Sequence, residues 1–516
     1  MKRTTLSLIA VATALAAVTG FASLTAPGDT APPQAKATTR LPVERAGLVC
    51  PAPSTSEVGE TLYTSYTPPG TGAGTGTAAG TGTPNQGKAE QPTAQLRPAA
   101  STTTSGGTSQ TGKKPKAPKI PATVTAPGKP VTAEADGPAV PALVGSATGT
   151  LAPGWTVQQS TVVPAGGASG LLGLSCGAPD TDFWFPAAST AKERQDYVHL
   201  TNPDDSAAVA DVELFGPEGP LKSQFTDGIP VPARSTVPVL LSTLTGEAAQ
   251  QSVTVHVTTR SGRIGAAVGA ADDKLGSDWI AAAADPASRA VLPGIPADAT
   301  SVRLVAFAPG HDDADLKVQL VSATGTIVPA GAGSLHVKSG MTASVDLPDL
   351  TRGEGGSLLL TPSDPKKPTP FVAALRVVRG KGANTEIAFV PAAAAISGRA
   401  TVADNRAKAS TLFLTAPDAA AQVKVTASAG SGAGTPVSRT VTVKAGTTTT
   451  LTDLVPEGLK GSYAITVEPV SGGKVFAART LALPLDGTPM FTIQTLVDDR
   501  GTVEVPTAHQ DLGVLD

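Results

Sequence analysis

The two cysteines of this 516-residue chain, Cys50 and Cys176, are the residues whose chemistry the sequence constrains most. An isolated pair in an exported chain most simply forms a disulfide, because export leads to an oxidising compartment. The alternative is a free reactive thiol, but the flanking CP and SCG sequences supply no His, Lys or Arg that would favour a thiolate. We therefore predict a Cys50–Cys176 bridge, which would close a loop over residues 51–175.

Two short motifs match those of nucleophilic serines. GLSCG places Ser175 in a G-x-S-x-G pattern, and STAK places Ser189 in an S-x-x-K pattern. A nucleophile elbow needs a strand, a sharp turn and a helix, and S-x-x-K chemistry needs a serine at the start of a helix. The residues around both motifs predict no such helix. We expect no catalytic residue in this chain.

The histidines and acidic residues lack the spacing of a metal site. His199, His256 and His336 alternate with apolar neighbours in predicted strands, which favours positions on the solvent-facing side. No two histidines have i, i+4 spacing. The acidic runs at 180–182 and 310–315 do not fit a calcium loop, so we expect them to serve turns. The sequence therefore predicts no metal and no cofactor.

The tryptophans Trp184 and Trp279 allow two interpretations. TDFWF, SDWIA and the later TEIAF look like copies of one element, in which an aliphatic residue finally replaces the tryptophan. That replacement favours packing in a core or between domains. The alternative is a platform of exposed rings that stack on sugars.

The elements that must position these residues are strands, and they recur three times. The repeated strand reads YVHLTNPD, VRLVAFAPG and TLFLTAPD, and the strand-turn signal after it reads IPVPARS, LHVKSG and VTVKAG. Pro203, Pro309 and Pro417 in the first element lie 106 and 108 residues apart. A period of about one hundred residues of strands has the size of an immunoglobulin-like sandwich.

Composition supports an all-β chain. Aromatic residues make up 3% of the sequence, and the 55 glycines and 46 prolines supply many turns. Val253, Val255 and Val257 alternate with polar residues, which predicts a strand buried on one face. The net charge of −3 does not favour nucleic acid as a partner.

We predict three tandem immunoglobulin-like β-sandwiches after a signal segment and a disordered Gly/Thr/Pro-rich linker. The predicted ranges are 1–26 for a signal peptide or N-terminal anchor, 27–139 for a linker with a small ordered island at 40–51, 140–285 for the first sandwich with an N-terminal extension, 286–395 for the second, 396–500 for the third and 501–516 for a tail.

The N-terminal region indicates export. Lys2 and Arg3 precede an uncharged stretch from Leu6 to Val18, and small residues near Ala22 offer a cleavage site. An uncleaved membrane anchor is the alternative, and both place the rest of the chain outside the cytoplasm, secreted or at the cell surface. The Gly–Thr tracts that follow cannot bury enough apolar surface to order themselves.

One stretch of this sequence resembles a known family. GLSC at 173–176, TDFWF at 181–185 and the LTNP…G..G segment at 200–219 occur after an export signal and a low-complexity linker. In this combination the chain resembles an uncharacterised family of secreted actinobacterial proteins that is defined only as a domain of unknown function. The resemblance implies no activity, cofactor or catalytic residue.

We expect an exported, non-catalytic envelope or surface protein with a scaffolding or interaction role. The modular rod of sandwiches, the long spacer and the lack of a catalytic constellation favour it. One alternative is a module that binds cell-wall glycan, and a second is an enzyme with an unrecognised site. Possible partners are a cell-wall polymer or envelope proteins.

Overall fold

The computed structural model describes residues 39–70, 92–101, 123–348 and 350–505. These residues are all-β, as predicted: they form 38 strands and two single-turn 3-10 helices, Gly149–Leu151 and Leu241–Thr243, and no α-helix lies among them. The predicted export segment at 1–26 lies outside the described residues. The first strand, β1 (Thr39–Pro42), and the last, β38 (Thr502–Val505), form a two-stranded sheet with each other.

The first pair of sheets, called S1 below, occupies a region that the sequence assigned to a linker and an extension. Its strands are β2 (Arg45–Cys50), β3 (Glu60–Tyr66), β4 (Ala94–Pro98), β6 (Val131–Asp136), β7 (Leu143–Thr148), β8 (Thr156–Val163) and β9 (Gly170–Ser175). The sheets β2-β7-β4 and β6-β3-β8-β9 enclose a core that includes Tyr63, Leu143 and Trp155.

The linker interpretation of residues 27–139 is therefore wrong for the parts that form β3, β4 and β6, whereas β2 lies within the predicted ordered island at 40–51. These strands are short, and the Gly–Thr tracts between them dominate the composition of the whole range. A strand needs only about five residues to contribute to a core. An average over a hundred residues hides such segments.

The second pair of sheets, S2, begins after S1. Its strands are β10 (Asp182–Ala188), β11 (Tyr197–Thr201), β12 (Ala208–Gly216), β13 (Gly219–Leu221), β14 (Ile229–Val231), β15 (Ser235–Leu240), β16 (Val253–Ser261), β17 (Gly265–Asp272) and β18 (Gly276–Ile280). One sheet has the order β10-β16-β12-β13, with β14 also beside β12. The other has the order β18-β17-β11-β15, and β5 (Ala100–Ser101) pairs in parallel with β15.

The third pair of sheets, S3, lies within residues 286–395. Its strands are β19 (Ala290–Ile295), β20 (Ala299–Phe307), β21 (Ala314–Val321), β22 (Thr326–Ile327), β23 (Ser334–Val337), β24 (Thr342–Asp346), β25 (Gly356–Pro362), β26 (Val372–Lys381) and β27 (Asn384–Pro391). The sheets have the orders β19-β25-β21-β22, with β23 beside β21, and β24-β20-β26-β27.

The fourth pair, S4, lies within residues 396–500. Its strands are β28 (Ala400–Asn405), β29 (Ser410–Ala416), β30 (Ala421–Ala427), β31 (Ala433–Thr435), β32 (Val437–Val443), β33 (Thr447–Leu451), β34 (Glu457–Lys460), β35 (Tyr463–Gly472), β36 (Phe476–Ala482) and β37 (Phe491–Leu496). The sheets have the orders β28-β35-β30-β32 and β33-β29-β36-β37, and β31 pairs with β34.

S2, S3 and S4 share one strand order, and the repeated sequence landmarks occupy matching places in it. Pro203, Pro309 and Pro417 follow β11, β20 and β29, the second strand of each sandwich. The repeated valines end β14, β23 and β32, and they pair with the first residues of β12, β21 and β30: Val231 with Ala208, Val337 with Ala314, and Val443 with Ala421.

One predicted equivalence is wrong. Trp184 lies on β10, the first strand of S2, whereas Trp279 lies on β18, its last strand. Glu386 and its neighbours lie on β27, the last strand of S3. The SDWIA and TEIAF segments are therefore counterparts, and TDFWF belongs to a different element. A short run of an acidic residue followed by apolar residues does not distinguish the first strand of a sandwich from the last.

The four sandwiches close into a ring within residues 42–501, which form one compact unit. β10 of S2 packs on β20 and β26 of S3, β19 of S3 packs on β29 and β36 of S4, and β28 of S4 packs on β3 and β8 of S1. β2 of S1 packs on β17 of S2, which completes the circle. The expected rod of sandwiches is thus replaced by a closed arrangement in which each sandwich has two neighbours.

Apolar side chains fill the junctions of this ring. Trp184 packs with Phe307 between S2 and S3, and Trp279 packs with Leu172 between S1 and S2. The junction of S3 with S4 includes Val291 and its neighbours. The two ends of the unit also meet, because Val43 N donates a hydrogen bond of 3.1 Å to Gly501 O.

We expect Ile465→Asp to unfold S4. Ile465 is 3% exposed in the S4 core, so a carboxylate there would be buried without a partner, at a cost of about 3 kcal/mol or more. Gln422→Asp on the exposed face of β30 is the matched control and should change stability little. Urea unfolding followed by circular dichroism measures both, and equal midpoints for the two variants would contradict the assignment of this face to the core.

Candidate functional site

The last strands of the four sandwiches, β9, β18, β27 and β37, meet at the centre of the ring. Two buried carboxylates lie there, Asp278 from β18 and Glu386 from β27, and they are called the central carboxylate pair below. Asp278 Oδ1 accepts hydrogen bonds from Gly173 N at 2.9 Å and Trp279 N at 2.8 Å. Thr492 Oγ1 donates to Asp278, 2.9 Å from Oδ2.

The central carboxylate pair satisfies the backbone of β9. This strand forms the edge of its own sheet, so one side of it has no strand partner. Leu171 N donates to Glu386 Oε1 at 3.2 Å, and Gly173 N donates to Asp278. A Cβ at position 173 would overlap Thr492, so a glycine is required where the strands approach. S2 and S3 thereby hold the edge of S1.

Burial controls the ionisation of this centre. It raises the pKa of Glu386 to about 9, against the hydrogen bond from Leu171 and with a contribution from the charge of Asp278. Burial also raises the pKa of Asp278 well above its usual range, although the hydrogen bonds from Gly173, Trp279 and Thr492 oppose it. Glu386 therefore stays protonated at neutral pH.

Two buried arginines, Arg194 and Arg479, and the partly buried Arg399 add further internal charges. Arg194 forms a bidentate pair with Asp196 at 2.9 and 2.7 Å, and Arg399 pairs with Asp499. Arg479 is fully buried, and burial lowers its pKa to about 10. Its Nη2 donates to Ala403 O at 3.2 Å. Sequence reasoning missed these residues, because single arginines in a strand pattern carry no signal of burial.

A second polar cluster lies on the β10-β16-β12-β13 sheet of S2. The His256 ring stacks on Trp184 with centroids 3.6 Å apart. His256 Nε2 lies 3.2 Å from Asp182 Oδ2, and Nδ1 lies 3.3 Å from Glu213 Oε2. Trp184 in turn stacks on Phe307 of S3 at 5.5 Å. The two carboxylates thus hold the imidazole over the S2–S3 junction.

Trp184 and Trp279 pack between sandwiches, as predicted, and neither ring is exposed for stacking on a sugar. Trp184 and Trp279 are 7% and 4% exposed. Trp155 is buried in the S1 core, where its Nε1 donates to Ser65 Oγ at 2.9 Å.

The serines of the two rejected motifs have structural partners. Ser175 Oγ donates to Gln158 Oε1 at 2.9 Å at the end of β9. Ser189 Oγ donates to Gln250 O at 3.0 Å and accepts from Ala191 N. Neither serine precedes a helix.

The prediction that the strand histidines face solvent is confirmed only in part. His336 is half exposed and contacts Asp315 at 2.7 Å, which gives the acidic run at 310–315 a structural role. His199, by contrast, lies edge-on to Trp279 at 5.1 Å, and its Nδ1 is buried. Burial lowers the pKa of His199 to about 4. The expectation of a solvent-facing His199 is wrong in part: the residue is only partly exposed, because Trp279 at the S1–S2 junction lies against its ring.

The described residues contain no group of three or more His, Cys, Asp or Glu side chains placed to hold a metal ion. They also include no helix with the length and hydropathy needed to span a membrane. A cleft of about 490 Å³ between S2 and S3 is open and mostly polar, with Gln250, His336 and Lys338 in its walls.

The predicted disulfide is present. Cys50 ends β2 and Cys176 follows β9, with an S–S distance of 1.99 Å. Both cysteines lie in the S1 core, where the bond links the two sheets. The loop of residues 51–175 therefore contains most of a folded sandwich, whereas the sequence suggested a bridge across a disordered linker.

The Family of unknown function (DUF5719) matches residues 131–453, more than half of the chain. The chain belongs to this family. The match runs from β6 of S1 into S4, and so includes both residues of the central carboxylate pair. No curated protein matches.

A crystal structure of tripeptidyl peptidase 2 (TPP II) is similar to this DUF5719 member at 11% identity, over 65% of this chain and 32% of that chain. Its TM-score is 0.14. The chain spans about a third of the length of that protein, and a likeness this low carries no argument about activity.

We expect the disulfide of this DUF5719 member to stabilise S1. Replacing both Cys50 and Cys176 with Ser should cost about 2–5 kcal/mol, because the unfolded chain regains the freedom that the bond removes. Non-reducing peptide mapping should give one linked pair, and urea unfolding measures the loss. Ser175→Ala, next to the bond, is the control. Two thiols open to alkylation in the unreduced protein would contradict this assignment.

We expect the ring to lose stability as pH rises, through Glu386. Its pKa rises from 4.5 to about 9 on folding, so between these values the folded protein binds more protons than the unfolded chain. Stability should fall through this window by about 1.4 kcal/mol per pH unit from this group.

Glu386→Gln isolates this effect, because the amide keeps an acceptor for Leu171 N and has no charge. The melting temperature of Glu386→Gln should fall less than that of the native protein as the pH rises from 4.5 to about 9. Glu134→Gln on the exposed face of β6 is the control and should leave the slope unchanged. Equal slopes for Glu386→Gln and the native protein would overturn the assignment.

Proposed function

We propose that this chain is an exported, non-catalytic protein of the cell envelope or cell surface, which serves as a rigid scaffold for interaction. We also infer that its sandwiches are immunoglobulin-like. The observation that carries the proposal is the closed ring, in which each sandwich is held by two neighbours. Such a body presents fixed outer surfaces, which suits display and binding better than a flexible string of domains.

The disulfide supports the location. Cys50 and Cys176 are buried in the S1 core, and a structural bond of this kind persists in oxidising compartments outside the cytoplasm. The hydrophobic stretch from Leu6 to Val18, with its basic start, agrees with export.

The chemistry of the buried groups favours a scaffold over an enzyme. Asp278 and Glu386 have strongly shifted pKa values, which often mark active sites. However, both are almost fully enclosed, and their oxygens bind the backbone of β9. Structural networks perturb pKa values in the same way. Stacking of sugars on Trp184 and Trp279 has little support, since both rings are buried at junctions.

Rescue of a deletion strain tests the proposal. Ser175→Ala, Ser189→Ala and His256→Ala should each restore the wild-type phenotype, because a scaffold needs its surface and stability and no single reactive group. Ile465→Asp should fail to restore it, since it unfolds S4. Labelling of intact cells with a membrane-impermeant amine reagent should modify the protein, and a form lacking residues 1–26 should stay unlabelled.

Two results would contradict this proposal. Loss of rescue by one Ala variant with an unchanged melting temperature would indicate a reactive residue and favour an enzyme. Retention of the full-length protein inside the cell, away from the reagent, would contradict export.

A further inference from the structure

A long, accessible strand edge belongs to β32 of S4. This seven-residue strand, VSRTVTV, pairs with β30 on one side and ends its sheet on the other. Its first four residues are exposed. It contains no proline, and its pairing with β30 has no register shift. A long regular edge of β-branched residues is a template for another strand.

The corresponding edges of S2 and S3 are protected. In S2 that edge is divided into β13 and β14, and each short strand carries a proline, Pro220 and Pro230. In S3 it is divided into β22, only two residues long, and β23, with Pro329 between them. Prolines and short strands block the addition of a further strand. In S4 the corresponding strand, β32, is seven residues long without interruption, and its nearest proline, Pro436, lies just before its first residue.

Other sheet edges are covered or charged. Thr342 on β24 donates to Phe215 O of S2 at 2.7 Å, and Thr448 on β33 donates to Val321 O of S3 at 2.7 Å. The edge strand β6 of S1 exposes Glu134 and Asp136, so two copies of it would repel each other. β32 therefore differs from these edges, because nothing in the strand itself opposes pairing with a second copy of its own sequence.

The charge on β32 does not oppose self-pairing. Arg439 is its one ionisable residue, and both of its Nη atoms contact Asp453, at 3.0 and 2.8 Å. The arginine is thus already neutralised within its own subunit. Two copies of the strand would bring together two such ion pairs, with no unbalanced positive charge.

We propose that the chain forms a two-fold symmetric dimer in which β32 pairs with β32 of a second copy as an antiparallel strand. With the axis at Thr440, each residue of VSRTVTV meets a compatible partner. Val437 faces Val443, Ser438 faces Thr442, Arg439 faces Val441 and Thr440 faces its own counterpart. The two four-stranded sheets become one sheet of eight strands, and the interface is isologous. This goes beyond the proposed scaffold role and does not depend on it.

The axis position allows a charge-swap test. Thr440→Lys and Thr440→Glu each place like charges opposite each other at the axis, so each variant alone should dissociate about tenfold or more readily than the native dimer. A mixture of the two variants places Lys against Glu and should restore association. Sedimentation equilibrium over a concentration series measures all four samples, and circular dichroism melting checks that each variant folds.

Thr132→Lys on β6 is the matched control, since it adds the same charge to another exposed edge strand and should leave the dimer intact. A native protein that stays monomeric at every concentration would overturn the proposal. So would a dimer that Thr440→Lys leaves unchanged, because its interface would lie elsewhere. Weakened single variants whose mixture does not recover would exclude this register.

Discussion

The ring depends on one constraint: a strand edge that is buried must still find partners for its backbone N–H groups. β9 ends the second sheet of S1 and lies at the centre of the ring, away from water. Asp278 and Glu386, from two other sandwiches, accept the hydrogen bonds of Gly173 and Leu171. The carboxylates therefore do for β9 what a neighbouring strand would do in a continuous sheet, and they tie S1 to S2 and S3.

The sequence predicted those parts of the fold that depend on local pattern. Alternation at Val253, Val255 and Val257 identified a strand whose valines are fully buried. The recurring prolines marked one position in S2, S3 and S4. S1 was not predicted, because its strands are scattered between Gly–Thr tracts. In addition, β8 buries polar residues such as Gln158 and Gln159, which normally indicate a surface. Gln159 lies opposite Tyr63 on the face of the S1 core, and Gln158 lies on the other face of the strand.

The central carboxylate pair was not predicted from the sequence. Asp278 and Glu386 each stand directly before an apolar cluster, but this pattern does not indicate a shared site. Their burial follows from the convergence of four strands that are far apart in sequence, and no local pattern encodes that convergence. The same reason applies to His199, whose alternation is that of a surface residue. Its ring is only partly exposed because Trp279 at the S1–S2 junction lies against it.

The centre of the ring also makes the four junctions chemically different. β18 contributes Asp278, β27 contributes Glu386, β37 contributes Thr492 and β9 contributes the glycine at position 173. A sandwich in the wrong place would leave a buried carboxylate without its donor, or press a side chain into the space that Gly173 leaves free. Three of the sandwiches share one strand order, so the apolar contacts at their junctions discriminate less between arrangements than these buried polar groups do. The polar centre therefore disfavours an arrangement in which a sandwich is displaced.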